Sequence, residues 1–248
     1  MSTPEVSLPE YENEITHSLL LDKKELYFDL PSEIYNFLGL VASEIPQQRI
    51  KDIAPDQIAC TLIFMRIMQD LRCVQICVTT GYAPAAASIA TSIIELAYEI
   101  AFLAGNENEA TKWFDHKDMK DTSAKHHNRV GYVLKKVIPD FSQRKEEENV
   151  EWGNYASVSS VKHGNSMFQQ MLGVEFENDH LVFNPLPSVS EQSKLISTMT
   201  IYRACQYALR GAAYFADAFI PESLRQIHKN NFEALLERLR LLVDTEMP

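Results

Sequence analysis

Apolar residues recur along most of this chain at spacings of three and four, which is the pattern of amphipathic helices. Ile34, Phe37, Leu38, Val41 and Ile45 form one such stripe, with Ser32 as the expected N-cap and Pro46 as the stop. Pro55 suits the first turn of the next helix, whose apolar positions Ile58, Leu62, Met65 and Val78 run on to Gly81. A helix opening at Pro84 passes Ile89, Ile93, Ile94, Leu96, Ile100 and Leu103 before it meets Gly105. It is apolar on almost every side, as the central helix of a bundle is. It should be the most buried element, packed by the helix after Pro55 and by a long helix after Ser188.

Asn106 and Glu109 have capping-box spacing in front of a helix bearing Trp113 and Phe114. A further stripe, His127, Val130, Leu134, Val137 and Ile138, starts near Thr122 or Ser123 and ends at Pro139. Ser142 opens a charged piece, and Asn154 is the expected cap of a short helix carrying Tyr155, Ser159 and His163, broken at Gly164. Only the stretch 174–183 alternates with period two, through Val174, Phe176, Leu181 and Phe183, and this predicts a small β-hairpin. Ser188 and Glu191 match a capping box before a long helix with Leu195, Met199, Tyr202, Leu209, Ala213 and Ala216 inside. Pro221 begins the last helix, with Leu224, Ile227, Leu235, Leu239 and Leu242 inward. The expected fold is all-α: a single multi-helix bundle with one small β-hairpin insertion near 174–183. Residues 1–54 form an N-terminal helical segment packed on the bundle, and 55–248 the main domain.

Composition changes the list of partners more than the fold. The 248 residues are 46% apolar and carry 34 acidic against 23 basic groups, a net charge of −11 that disfavours a dedicated DNA-binding protein. One window runs the other way: Lys112, Lys117, Lys120, Lys125, Arg129, Lys135, Lys136, Arg144 and Lys145 face only Asp115, Asp118, Asp121 and Asp140. It is either an ordinary solvated face or a grip for RNA. The N-terminus lacks the basic and apolar parts of a secretory signal, and the apolar run 83–104 contains Glu95 and Glu99, so a cytoplasmic protein without a membrane span is expected. Cys60, Cys73, Cys77 and Cys205 then serve as reduced core thiols.

Candidate chemistry falls in two places. Ser88, Ser92, Glu95 and Glu99 follow one another at spacings of 4, 3 and 4, a narrow polar stripe on the Pro84 helix. It is either that helix's wet edge or a polar seam inside the bundle, where a desolvated Glu95 would hold its proton more tightly. Tyr155, Ser159 and His163 share a helix face with Lys162 beside them. That row supplies a general base next to a hydroxyl, or else a hydrogen-bonded core network. Glu95 and His163 are expected to meet in one pocket, since a carboxylate fixes an imidazole's tautomer. Glu177 and His180 have a metal-ligand spacing that a hairpin would destroy, and His116, Asp118, His126 and His127 are expected at the surface, so no metal and no cofactor is assigned.

Two segments carry a likeness to known proteins: Gly81-Tyr82 followed by Ser88-Ile89-Ala90-Thr91-Ser92-Ile93-Ile94-Glu95, and Tyr155-x3-Ser159-x3-His163-Gly164-Asn165. Over roughly residues 55 to 240 the chain resembles an uncharacterised bacterial family of helical domains of unknown function. That family is similar in its bundle to the HEPN proteins of bacterial defence systems, many of them metal-independent ribonucleases. Their signature is an arginine, four to six residues, then a histidine; before His163 those positions hold Val158, Ser157 and Ala156. Two functions follow. One is a binding or sensor module that holds a small polar ligand or a partner segment at Glu95, Tyr155, Ser159 and His163. The alternative, implied by the resemblance, is a ribonuclease of a defence or toxin system with His163 as acid/base, Lys162 steadying phosphate and the 112–145 window on RNA. A homodimer is compatible with both.

Overall fold

The computed structural model describes residues 7–45, 52–115, 125–162, 174–177, 180–183, 187 and 190–246. Helix α1 (Leu8–Asp22) is followed by a π-turn (Glu25–Asp29) that runs straight into α2 (Leu30–Ser43). Then come α3 (Pro55–Thr79), α4 (Ala83–Leu103), α5 (Glu107–Phe114), α6 (His126–Val137), α7 (Phe141–Lys162), α8 (Glu191–Phe219) and α9 (Glu222–Glu246). Gly81 and Gly105 have φ values of 87° and 72° just past the ends of α3 and α4, a left-handed conformation that glycine adopts without steric cost.

Helix α4 lies at the centre. It packs along α3 and α8 on one side and against α6 and α7 on the other, while α2 and α9 close the far side of α3 and α8. Ala86, Ala90, Ala97, Ile93, Ile94 and Tyr98 are all fully buried on it. By length and composition α4 is apolar enough to cross a membrane, and 61% of its most apolar window is buried inside the bundle. Phe64 of α3 and Phe215 of α8 stack with centroids 4.7 Å apart and tie the two neighbouring helices together.

The π-turn has a chemical cause. Pro31 carries no N–H, so the carbonyl of Tyr27 loses the partner it would have in a regular helix. Gln75 of α3 supplies one, donating through Nε2 to the carbonyls of Tyr27 and Phe28 at 3.1 Å each. Ser32 joins the same cluster, accepting from Gln75 at 3.1 Å and donating to the Phe28 carbonyl at 2.6 Å. It therefore sits inside a continuous helical segment rather than capping one.

The expected fold class needs a correction. The architecture is all-α, and the β-hairpin insertion near 174–183 is not part of it. Within that stretch Val174–Glu177 and His180–Phe183 are extended and pair only with each other, Val174 opposite Phe183, and no helix packs along them among the described residues. Two four-residue strands without a third strand or a covering helix form no independent unit and add no layer to a domain. The period-two pattern thus marks a local backbone shape and not an element of the fold.

Helix faces also differ from the periodic reading. Leu62 and Met65 of α3 and Leu195 of α8 are exposed, and the buried rows run one step round, through Ile63, Phe64 and Ile67 and through Ile196, Tyr207 and Ala208. Cys73 is exposed and Cys77 half-buried for the same reason, so only Cys60 and Cys205 are core thiols. The charged piece and the short helix expected over 142–163 are one continuous helix, α7, as far as Lys162. The long helix α8 is capped by Ser190, whose side chain accepts from the Ser193 amide at 3.2 Å.

Candidate functional site

Helices α4, α6, α7 and α8 bring polar side chains together in an otherwise apolar bundle. Each helix contributes residues three or four apart, hence on one face: Glu95, Tyr98 and Glu99; His126 and Arg129; Glu151, Asn154 and Tyr155; Tyr207, Arg210 and Tyr214. A charge on one helix meets its partner on another, as it must where water is excluded.

Glu151 is the hub, 3% exposed. Its Oε1 accepts from Arg210 Nη1 at 2.6 Å, and its Oε2 accepts a short hydrogen bond from the Tyr207 hydroxyl. Asn154 donates through Nδ2 to the same hydroxyl at 3.1 Å, and Arg210 Nη1 also donates to the Tyr98 hydroxyl at 3.0 Å. The guanidinium lies 4.9 Å from the Tyr207 ring centroid, so the cation is held by aromatic faces as well as by charge. Burial works against that cation, but Glu151 and the Tyr98 oxygen more than offset it and keep Arg210 protonated. Burial, reinforced by Glu151, pushes the hydroxyls of Tyr98 and Tyr207 far up, so both remain donors and neither is a base.

A second layer lies toward the surface. Glu99 and Arg129, both buried, pair at 3.2 Å between α4 and α6. The Tyr155 hydroxyl donates to Glu95 Oε1 at 2.8 Å, and burial followed by that bond raises its pKa to about 12. His126 stacks on the Tyr155 ring at 4.7 Å and meets the Tyr98 ring edge-on at 5.6 Å. Trp152 also stacks with Tyr155, at 5.7 Å. Burial lowers the His126 pKa despite the opposing Glu95 carboxylate, so the ring is neutral near pH 7, and its Nδ1 is buried without a hydrogen-bond partner among the described residues. His126 opens onto a cavity of about 300 Å³ lined also by His127, Val130, Lys145, Glu148, Asn149, Glu151 and Trp152.

Of the residues singled out in the sequence, Glu95 and Tyr155 are in direct contact, and Ser159 is buried one turn further along α7. Lys162 ends α7, and its side chain, like the whole of His163, lies outside the described residues, as do His116, Lys117, Asp118 and Lys120. His126, expected at the surface, is turned inward, whereas His127 beside it is exposed. The basic window is not one face: Arg129 is buried against Glu99, while Lys112 pairs with Glu109 at 2.5 Å and Lys145 with Glu148 at 3.7 Å. No group of three or more His, Cys, Asp or Glu side chains is arranged to hold a metal among the described residues.

Sequence reasoning passed over Glu151, Tyr207, Arg210 and Tyr98, and read Asn154 as a helix cap although it lies within α7. One signal was available: Tyr207, Arg210 and Tyr214, at i, i+3 and i+7, put an arginine on the inward face of a helix rich in alanine and aromatic residues. No protein-family model matches the chain, and no curated protein or solved structure matches it. No arginine stands five to seven positions before any histidine of the chain.

Proposed function

We propose that this protein is a cytoplasmic, non-catalytic binding or sensor module whose site is the polar seam of Glu95, His126, Glu151 and Tyr155. One observation carries the reading. A hydrogen-bonded network of Glu151, Arg210, Tyr207 and Tyr98 backs a cavity at whose edge a neutral imidazole keeps Nδ1 buried and unpartnered. A buried polar atom left unsatisfied carries a desolvation cost that a bound polar ligand removes. The tyrosines are held protonated and Arg210 is saturated by Glu151, so the seam is built for donation and shape more than for proton transfer. Ser159 extends the site along α7 in this reading; the Lys162 side chain and His163, which belong to the same proposal, lie outside the described residues.

The ribonuclease reading draws less support. It relied on His163 with a neighbouring cation and on a basic surface, and Arg129 of that window is spent on Glu99 inside the bundle. A thermal-shift screen of small polar metabolites against the wild-type protein and His126→Phe tests the proposal. The expected result is a ligand class that raises the wild-type Tm and leaves the variant unmoved. RNA cleavage that survives chelator and vanishes in His163→Ala would overturn it.

A further inference from the structure

We infer that the cavity between α6 and α7 takes a neutral planar heterocycle of the nucleobase type, free or as a nucleoside, stacked on Trp152; this rests on reading the seam as a binding site. The cavity, about 300 Å³, lies at the small end of ligand clefts, with room for a fused ring system and a sugar but little more. One wall is a prebuilt aromatic plate. Trp152 is 60% exposed and stacks on Tyr155, which in turn stacks with His126. Tyr155 cannot swing away, because its hydroxyl is tied to Glu95. An exposed indole held in place in this way costs a ligand little ordering and offers a face on which any base can stack.

The polar groups around the plate match a base edge. Asn149 stands three residues before Trp152 on the same face of α7, and its carboxamide places a donor and an acceptor side by side in one plane. That is the complement of a ring nitrogen next to an exocyclic amine or oxo group.

Charge disfavours the phosphorylated forms. Both Glu151 oxygens are committed to Arg210 and Tyr207, and the Lys145 ammonium sits 3.7 Å from Glu148. The wall therefore carries no net positive charge to receive a phosphate, and the chain's net charge of −11 repels polyanions.

Trp113 and Trp152 are the two tryptophans of the chain, so Trp113→Phe leaves Trp152 as the sole indole reporter. In that background the fluorescence of Trp152 is titrated with adenosine, guanosine, cytidine and uridine, with ribose and the matching 5′-monophosphates as controls. At least one nucleoside should quench saturably, ribose should be silent, and the monophosphate should bind about tenfold more weakly. Asn149→Ala, at an exposed position that folding does not need, should weaken nucleoside binding about tenfold, the loss expected for one or two hydrogen bonds. Unchanged affinity in Asn149→Ala, or a monophosphate that binds as tightly as its nucleoside, overturns the inference. If no nucleoside binds while another metabolite stabilises the wild type and not His126→Phe, the inference falls and the seam remains a binding site. If nothing stabilises the wild type, both fall.

Discussion

The hydroxyl of Tyr155 donates to Oε1 of Glu95 at 2.8 Å, joining α7 to α4 across 60 residues of sequence. This contact makes the Ser88, Ser92, Glu95 and Glu99 stripe a seam rather than a wet edge: the first three are half-buried and Glu99 is buried. The bond also holds the Tyr155 ring against His126 and Trp152. Tyr155→Phe keeps the ring and removes the donor, leaving a half-buried carboxylate short of a partner. It should lower stability by about 1–3 kcal/mol, read as a lower urea midpoint with an unchanged m-value. A variant as stable as wild type would show that water replaces the hydroxyl at no cost.

Glu151 is the interaction on which the inner network depends. Glu151→Gln keeps the shape but removes the charge that compensates Arg210, and breaking one side of a buried ion pair costs about 3–5 kcal/mol. Arg210→Met strands the carboxylate and should cost a similar amount. The double variant should recover much of the loss, because no buried charge is then left without its counter-charge. A double-mutant cycle measures this directly, and strict additivity would show that the two residues are not coupled.

The bundle itself was legible because apolar spacing and glycine stops are local signals. The burial of α4 between α3 and α8, and the ends of α3 and α4 at Gly81 and Gly105, follow from residues adjacent in sequence. The seam was not legible, because its partners lie on different helices. His126 and Arg129 face inward because Glu99 and Tyr155 await them across the bundle, and nothing within α6 announces that. Asn154 has the chemistry of a cap but lies in mid-helix, where donating to Tyr207 in the interior serves better than ending α7. The alternation at 174–183 describes backbone shape alone, since register and layer come from what packs on a strand.

Acid should weaken the fold through His126. Burial holds its pKa below the usual value, with Arg129 and His127 acting the same way and Glu95 and Glu151 opposing. The unfolded chain, where histidine titrates near about 6.5, then binds the proton more readily than the folded one. Above that pH the residue's contribution is fully present, and it is lost as pH falls from there toward the folded pKa. The drop in urea midpoint between about pH 7.5 and pH 5.5 should be larger for the wild type than for His126→Gln, which has no proton to gain. Equal drops would assign the acid sensitivity to other groups.

Gly211 lies inside α8 where it faces Ile67 of α3 and Ala97 of α4. A Cβ there would lie 2.9 Å from Ile67 Cδ1, 3.6 Å from Ala97 Cβ and 3.7 Å from Ala97 Cα. Glycine inside a helix costs about 1 kcal/mol relative to alanine, so its presence marks a place where backbone proximity matters more than propensity. The Ile67 methyl is the end of a flexible side chain, although the residue is fully buried, and Gly211→Ala should therefore change stability by less than about 1 kcal/mol, the propensity gain offsetting the crowding. Gly211→Val carries branched methyls toward the α4 backbone, which cannot yield, and should cost about 2–4 kcal/mol. Ile67→Val removes the crowding atom and by itself costs about 0.5–1.5 kcal/mol. Adding Gly211→Ala to that variant should raise its urea midpoint, because the propensity gain is then unopposed. If Gly211→Ala instead lowers stability equally with and without Ile67→Val, the constraint comes from Ala97 and not from the Ile67 methyl.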